Sequence, residues 1–159
     1  AVGSHRHYPG IWLDGFTVQN CSFTRILGPA VHSMGVTNFV LCGCQASEMS
    51  GIIYAAHSSG RIAGNTVMNS TQDGIWLYED TDYEVIDNVV SGSAREGVNV
   101  FRSRVRIVGN AITNSGNCAV FVNSQSQVEI ANCSLNGAKM HGVCALGESE
   151  VNVSETTIA

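Results

Sequence analysis

Lysine is almost missing from this chain: Lys139 stands alone among 8 basic side chains set against 13 acidic ones. A protein that tracks a phosphate backbone needs a positive face, so nucleic acid is not an expected partner. Long apolar runs are also lacking, and none approaches the roughly 18 residues that a membrane-spanning helix requires. No membrane partner is therefore expected. Proline occurs only twice and helical periodicity is nearly absent. Charged residues make up 13% and hydrophobic ones 44% of 159 residues, which excludes a disordered tail and a charged coiled coil. One packed domain spanning 1–159 is the expectation.

The six cysteines are Cys21, Cys42, Cys44, Cys118, Cys133 and Cys144. No pair has the C-x-x-C spacing of a zinc knuckle. Small thiols pack as hydrophobes, so a buried, unpaired role is expected for them.

What is present is a repeat. Short Val/Ile runs alternate with Gly, Asn and Ser clusters along the whole length, and eight-residue segments align as FTVQNCSF from Phe16, FVLCGCQA from Phe39, GRIAGNTV from Gly60, YEVIDNVV from Tyr83, VRIVGNAI from Val105, VEIANCSL from Val128 and VNVSETTI from Val151. They start 23, 21, 23, 22, 23 and 23 residues apart. Upstream of each stands a small residue followed by Ile or Val: Gly10-Ile11, Ala30-Val31, Gly51-Ile52, Gly74-Ile75, Gly97-Val98, Ala119-Val120 and Gly142-Val143. Two short strands per period cannot bury a face alone, but stacked coils can. The fold expected is all-β: a single-stranded parallel β-helix of about seven coils with 22–23 residues each.

Equivalent positions of successive coils then lie about 4.8 Å apart, and each alignment column becomes a ladder on the surface or in the core. Octet position three (Val18, Leu41, Ile62, Val85, Ile107, Ile130, Val153) and position eight (Phe23, Ala46, Val67, Val90, Ile112, Leu135, Ile158) read as interior stacks. Position six (Cys21, Cys44, Asn65, Asn88, Asn110, Cys133, Thr156) reads as a polar column at a bend, where stacked amides hydrogen-bond along the axis. Side chains leaving neighbouring strands in parallel suit a disulfide poorly, so free thiols are expected there. Position two (Thr17, Val40, Arg61, Glu84, Arg106, Glu129, Asn152) faces outward with alternating charge, which opposes a slip in register.

The V-x-I-x-x-N-x-I octet preceded by G-I-x-L, clearest in GIWLYEDTDYEVIDNVV from Gly74 to Val90, resembles the right-handed parallel β-helix repeat of the pectin-lyase-like superfamily. The resemblance covers about Gly10 to Ile158. It implies a right-handed β-helix of the type found in carbohydrate-binding and sugar-hydrolase domains. Such families include polysaccharide lyases, hydrolases, epimerases, tailspike depolymerases and modules that only bind.

Two residues after each small residue, the column Trp12, His32, Ile53, Trp76, Asn99, Phe121 and Cys144 is expected to point outward. Flat aromatic faces along a shallow groove suit stacking on sugar rings, so Trp12, His32, Trp76, Asn99 and Phe121 are candidate substrate-binding residues, with His57 and Arg95 beside them. An exposed apolar stripe also marks burial against another subunit, a homotrimer for instance. Acidic residues gather beside the same stretch: Asp73, Glu79, Asp80 and Glu96 are candidate catalytic carboxylates. Asp73 and Glu96 precede the small residue of consecutive coils, at the spacing a pair of glycosidase carboxyls needs. Closeness raises one carboxyl pKa unless Arg95 offsets it. Turn geometry by itself also favours Asp. Glu79, Asp80 and Asp82 offer oxygen ligands of the kind Ca²⁺ takes, and no other cofactor is implied.

The seventh octet runs to the end of the sequence, and an uncovered final coil exposes unpaired strand edges. A section of a longer β-helix, or an oligomer covering that end, is expected. The functional expectation is a polysaccharide-recognising β-helix, extracellular or virion-associated, with glycan-cleaving activity open. The alternative is a non-catalytic structural or interaction module.

Overall fold

The computed structural model describes residues 13–159. Each coil contributes three short strands rather than two. In one representative coil these are Asp82–Ile86, Val89–Ser91 and Val98–Phe101. The corners between them carry Asp87, Gly92 and Arg102 at positive φ, 51°, 71° and 46°. Stacked in parallel, most of the strands form three sheets of seven, seven and six members, with Leu13–Asp14 and Val36–Thr37 paired in a separate two-stranded sheet, so the solenoid has about six turns rather than seven. Sheet 1 holds the strands equivalent to Asp82–Ile86, sheet 2 those equivalent to Val89–Ser91, and sheet 3 those equivalent to Val98–Phe101.

The octet is therefore not one strand. Its first half lies in sheet 1, positions five and six turn the corner, and its last two residues lie in sheet 2. Position five is Asn20, Gly43, Gly64, Asp87, Gly109, Asn132 and Glu155, and all seven have positive φ. Gly, Asn and Asp tolerate this left-handed conformation best, which accounts for six of the seven residues.

The interior columns follow the expected register. Val85 pairs with Ile62 and Ile107, and Val90 with Val67 and Ile112. Leu41, Ile62, Val85, Ile107 and Ile130 are fully buried. Burying such side chains at about 25 cal/mol per Å² is the main force holding coil to coil.

Position six is a ladder of side-chain amides. The N–H groups of Cys44, Asn65 and Asn88 donate to Oδ1 of Asn65, Asn88 and Asn110, each at 2.9 Å. The amide nitrogens of Asn65, Asn88 and Asn110 in turn donate to the carbonyls of Leu41, Ile62 and Val85 one coil earlier. The buried bend is thus satisfied without water. All six cysteines are free.

Position two lies in single file on the outer face of sheet 1: Arg61 pairs in register with Glu84, Glu84 with Arg106, and Arg106 with Glu129. Arg106 reaches both neighbours, at 3.6 Å to Glu84 and 3.5 Å to Glu129.

One column needs correction. In the coil preceding Trp76, the outward position is Tyr54, not Ile53, because Ile53 pairs with Ile75 and is buried. The residue beside Val31 and Ile75 is one later than the Gly51-Ile52 pairing implies.

Candidate functional site

Alternation along a strand places residues i and i+2 on the same face. The outer face of sheet 3 consequently carries two adjacent columns. The first is His32, Tyr54, Trp76, Asn99, Phe121 and Cys144; the second is Met34, Ala56, Tyr78, Phe101 and Asn123. Tyr54, Tyr78 and Phe101 stack on one another, with ring planes 27° and 21° apart and centroids at 6.2 and 5.0 Å. Their faces are largely spent on each other. Trp76 is turned out of that stack, inclined at 73° to Tyr54 and 69° to Tyr78. His32 stands edge-on to Tyr54 at 4.9 Å, and the Arg102 guanidinium lies 5.6 Å from the Phe101 ring centre. Burial, reinforced by neighbouring Tyr78 and Glu79, raises the Tyr54 phenol pKa. Tyr78 is raised by burial and by Glu79. Both phenols are therefore neutral donors at ordinary pH.

A cleft of about 420 Å³ opens beside these rings, lined by Leu27, Pro29, His32, Tyr54, Asp73 and Trp76, among others. Its polar floor is Asp73, whose side chain is only 1% exposed. Asp73 Oδ1 accepts the Glu96 N–H at 3.1 Å and Oδ2 accepts the Asn99 side-chain amide at 3.0 Å. Glu96, 8% exposed at its side chain, accepts the Asn117 amide on Oε1 at 3.0 Å. Arg95 approaches both acids, at 3.8 Å from Asp73 and 3.4 Å from Glu96. Burial, and then its contact with Asp73, raises the Glu96 pKa despite Arg95 and Asn117.

At the other edge of the same sheet His57 sits between Glu79, at 3.5 Å, and Asp80, at 3.6 Å, while Arg102 meets Glu79 at 3.7 Å. His57, Glu79, Asp80 and Arg102 all hold positive φ at this corner.

The sequence model for a right-handed β-helix region matches residues 3–118, well over half of the chain. The chain belongs to the right-handed β-helix family. No curated protein and no solved structure matches it.

Along this β-helix the expected site residues divide into two groups. Asp73, Glu96, Arg95 and Asn99 cluster where sheet 3 begins, and His57, Glu79 and Asp80 where it ends. The strand Ile75–Tyr78 separates Asp73 from Glu79 and Asp80, so the four acids flank the aromatic face instead of converging. Asn99 belongs to the outward column but is buried against Asp73. His32 is exposed, Trp76 and Phe121 are half-buried, and Trp12 lies outside the described residues. Asp82 starts a sheet 1 strand and faces away from Glu79 and Asp80. Among the described residues, no three His, Cys, Asp or Glu side chains are grouped to hold a metal ion. Tyr54, Tyr78 and Phe101 complete the face. The signal for the last two was simple: each stands two residues after a column member, Trp76 and Asn99.

Proposed function

We propose that the outer face of sheet 3 binds a polysaccharide, with Trp76 as the stacking platform and the Asp73 cleft as the polar end of the site. One observation carries this reading: the Trp76 ring is inclined out of an otherwise self-stacked aromatic ladder and borders a cleft floored by a buried carboxylate. Apolar rings with a few fixed polar groups form the surface that an oligosaccharide needs, since its C–H faces are apolar and its hydroxyls are not. Neutral Tyr54 and Tyr78, ionic Glu79 and Arg102, and exposed His32 supply partners for those hydroxyls.

Binding is favoured over cleavage by the carboxylates. Asp73 spends both oxygens on Glu96 and Asn99, and neither acid side chain is more than 8% exposed. A hydrolytic pair needs room for a sugar oxygen between its carboxyls. Asp73 and Glu96 therefore shape the groove end, and the reading extends to a protein that meets polysaccharide outside the cell or on a virion.

A glycan array probed with the wild-type chain and with Trp76→Ala tests the proposal. Retention of a defined class of glycan by the wild type alone supports it. Retention by neither protein refutes it, as does an obligate trimer that buries Trp76.

A further inference from the structure

Sheet 1 presents a second face whose charges form a pattern with a particular symmetry. Down the octet's position-two column, Arg61, Glu84, Arg106 and Glu129 read plus, minus, plus, minus. In the neighbouring outward column Asp82 pairs with Arg104, and Arg104 with Gln127. On the other side runs an apolar column of Ala63, Ile86, Val108 and Ala131. Glu84, Arg106 and Glu129 are 47%, 49% and 52% exposed at their side chains. The two charged columns, through Asp82, Glu84, Arg104, Arg106, Gln127 and Glu129, border a concavity of about 420 Å³.

We propose that this face is the contact surface of a weak antiparallel dimer of this chain. Consider a two-fold axis lying in the contact plane, parallel to the strands and midway between Asp82–Ile86 and Arg104–Val108. It reverses the coil order while leaving each column opposite itself. Arg61 then faces the partner's Glu129, Glu84 faces the partner's Arg106, and Asp82 faces the partner's Arg104. Each pair is made twice by symmetry. Ala63 meets the partner's Ala131, and Ile86 meets the partner's Val108. No charge meets its like.

The other face-to-face two-fold, parallel to the solenoid axis, sets each coil against the same coil of its neighbour. Arg104 and Arg106 would then face arginines, and Asp82 and Glu84 would face acids. The alternation therefore selects one of the two operators, as an isologous contact requires of a self-complementary surface.

Seven strands at 4.8 Å and five residues at about 3.3 Å give this face an area of roughly 550 Å². A standard interface buries about 800 Å² per partner, so the dimer is expected to be weak and salt-sensitive. Sheet 3 stays free in it, so the proposal does not depend on the glycan reading.

Sedimentation velocity over a concentration series tests it. In low salt the wild type should move toward twice its 16.8 kDa mass as concentration rises, and in about 1 M salt it should remain monomeric. Glu84→Arg alone and Arg106→Glu alone should each be monomeric, because each sets like charges against one another across the axis. Mixed in equal amounts they should associate again, since Arg at 84 then meets Glu at 106 and the remaining Arg106 meets Glu84. A ladder with only an intrachain role gives no such rescue. If circular dichroism shows either variant unfolded, Asp82→Arg mixed with Arg104→Glu offers the same exchange one column away. A wild type that stays monomeric in low salt, or folded variants that fail to associate when mixed, overturns the proposal. So does loss of the dimer in Trp76→Ala, which would move the contact to sheet 3.

Discussion

Asn88 Oδ1 accepts two hydrogen bonds from Asn65, one from its backbone N–H at 2.9 Å and one from its side-chain amide at 3.0 Å. Asn88 repeats the act as a donor, with both of its groups directed at Asn110 Oδ1. The same residue thus satisfies the bend above and is satisfied by the bend below. This reciprocity fixes the axial register at the corner between sheets 1 and 2.

Replacing Asn88 with Ala orphans a buried N–H and a buried amide hydrogen of Asn65 and removes the donor to Ile62 O. Each buried orphan costs about 1–3 kcal/mol. Urea denaturation of Asn88→Ala should show a loss of about 3 kcal/mol or more. A loss under about 1 kcal/mol would mean that the ladder is incidental to stability.

Neighbouring residues on one strand test inside against outside. Ile107 is fully buried, whereas Arg106 is about half exposed. Ile107→Ala should cost about 2–5 kcal/mol by denaturant unfolding, through lost apolar contact and the cavity left behind. Arg106→Ala should cost less than about 1 kcal/mol, since exposed ion pairs contribute little. Equal losses would contradict the register.

Glu96 gives a pH signature. Its folded pKa is raised, first by burial and then by Asp73, so between the ordinary glutamate value and the folded one the native state holds a proton that the unfolded chain has released. The stability this contributes is full below the unfolded pKa and is lost as pH rises through the folded pKa. Glu96→Gln keeps an acceptor for Asn117 and a permanent donor for Asp73. Its melting temperature should gain on the wild type as pH rises from the ordinary glutamate value through the raised folded one. Parallel melting curves across that range would show that Glu96 is not protonated in the folded state.

The thiols divide by burial. Cys118 is pushed up to about 11, chiefly by burial and secondarily by Cys144, and burial also raises Cys44. Cys21 is exposed. Iodoacetamide near pH 8 should label Cys21 first and leave Cys44, Cys118 and Cys133 unmodified until the chain is denatured, as read by peptide mass spectrometry. Native labelling of Cys118 at the rate of Cys21 would contradict its placement.

The solenoid was legible in the sequence because its columns obey a two-residue alternation inside a 22-to-23-residue period, and the buried Val, Leu and Ile stacks inherit that arithmetic. The third strand was not. The sheet 2 strands are mostly three residues long, too short to show a period of their own, and the corner that separates them from sheet 1 is a single left-handed residue such as Asp87 or Gly109. Ile53 was placed on the outer face, where Tyr54 stands, because its coil's sheet 3 strand sits one residue later than the Gly51-Ile52 motif implies. The contact between Asp73 and Asn99 was hidden for another reason: it joins residues 26 positions apart through side chains leaning across a coil, which no column alignment records. Separation of Glu79 and Asp80 from Asp73 follows only once the strand between them is drawn out straight.

Trp76 is the residue on which the proposed glycan site most depends. Isothermal titration of an array-selected oligosaccharide should give an affinity at least tenfold weaker for Trp76→Ala than for the wild type, with Trp76→Phe in between, since tenfold is about 1.4 kcal/mol and lies within the range an aromatic contact contributes. Equal affinity of wild type and Trp76→Ala for that oligosaccharide would contradict the account.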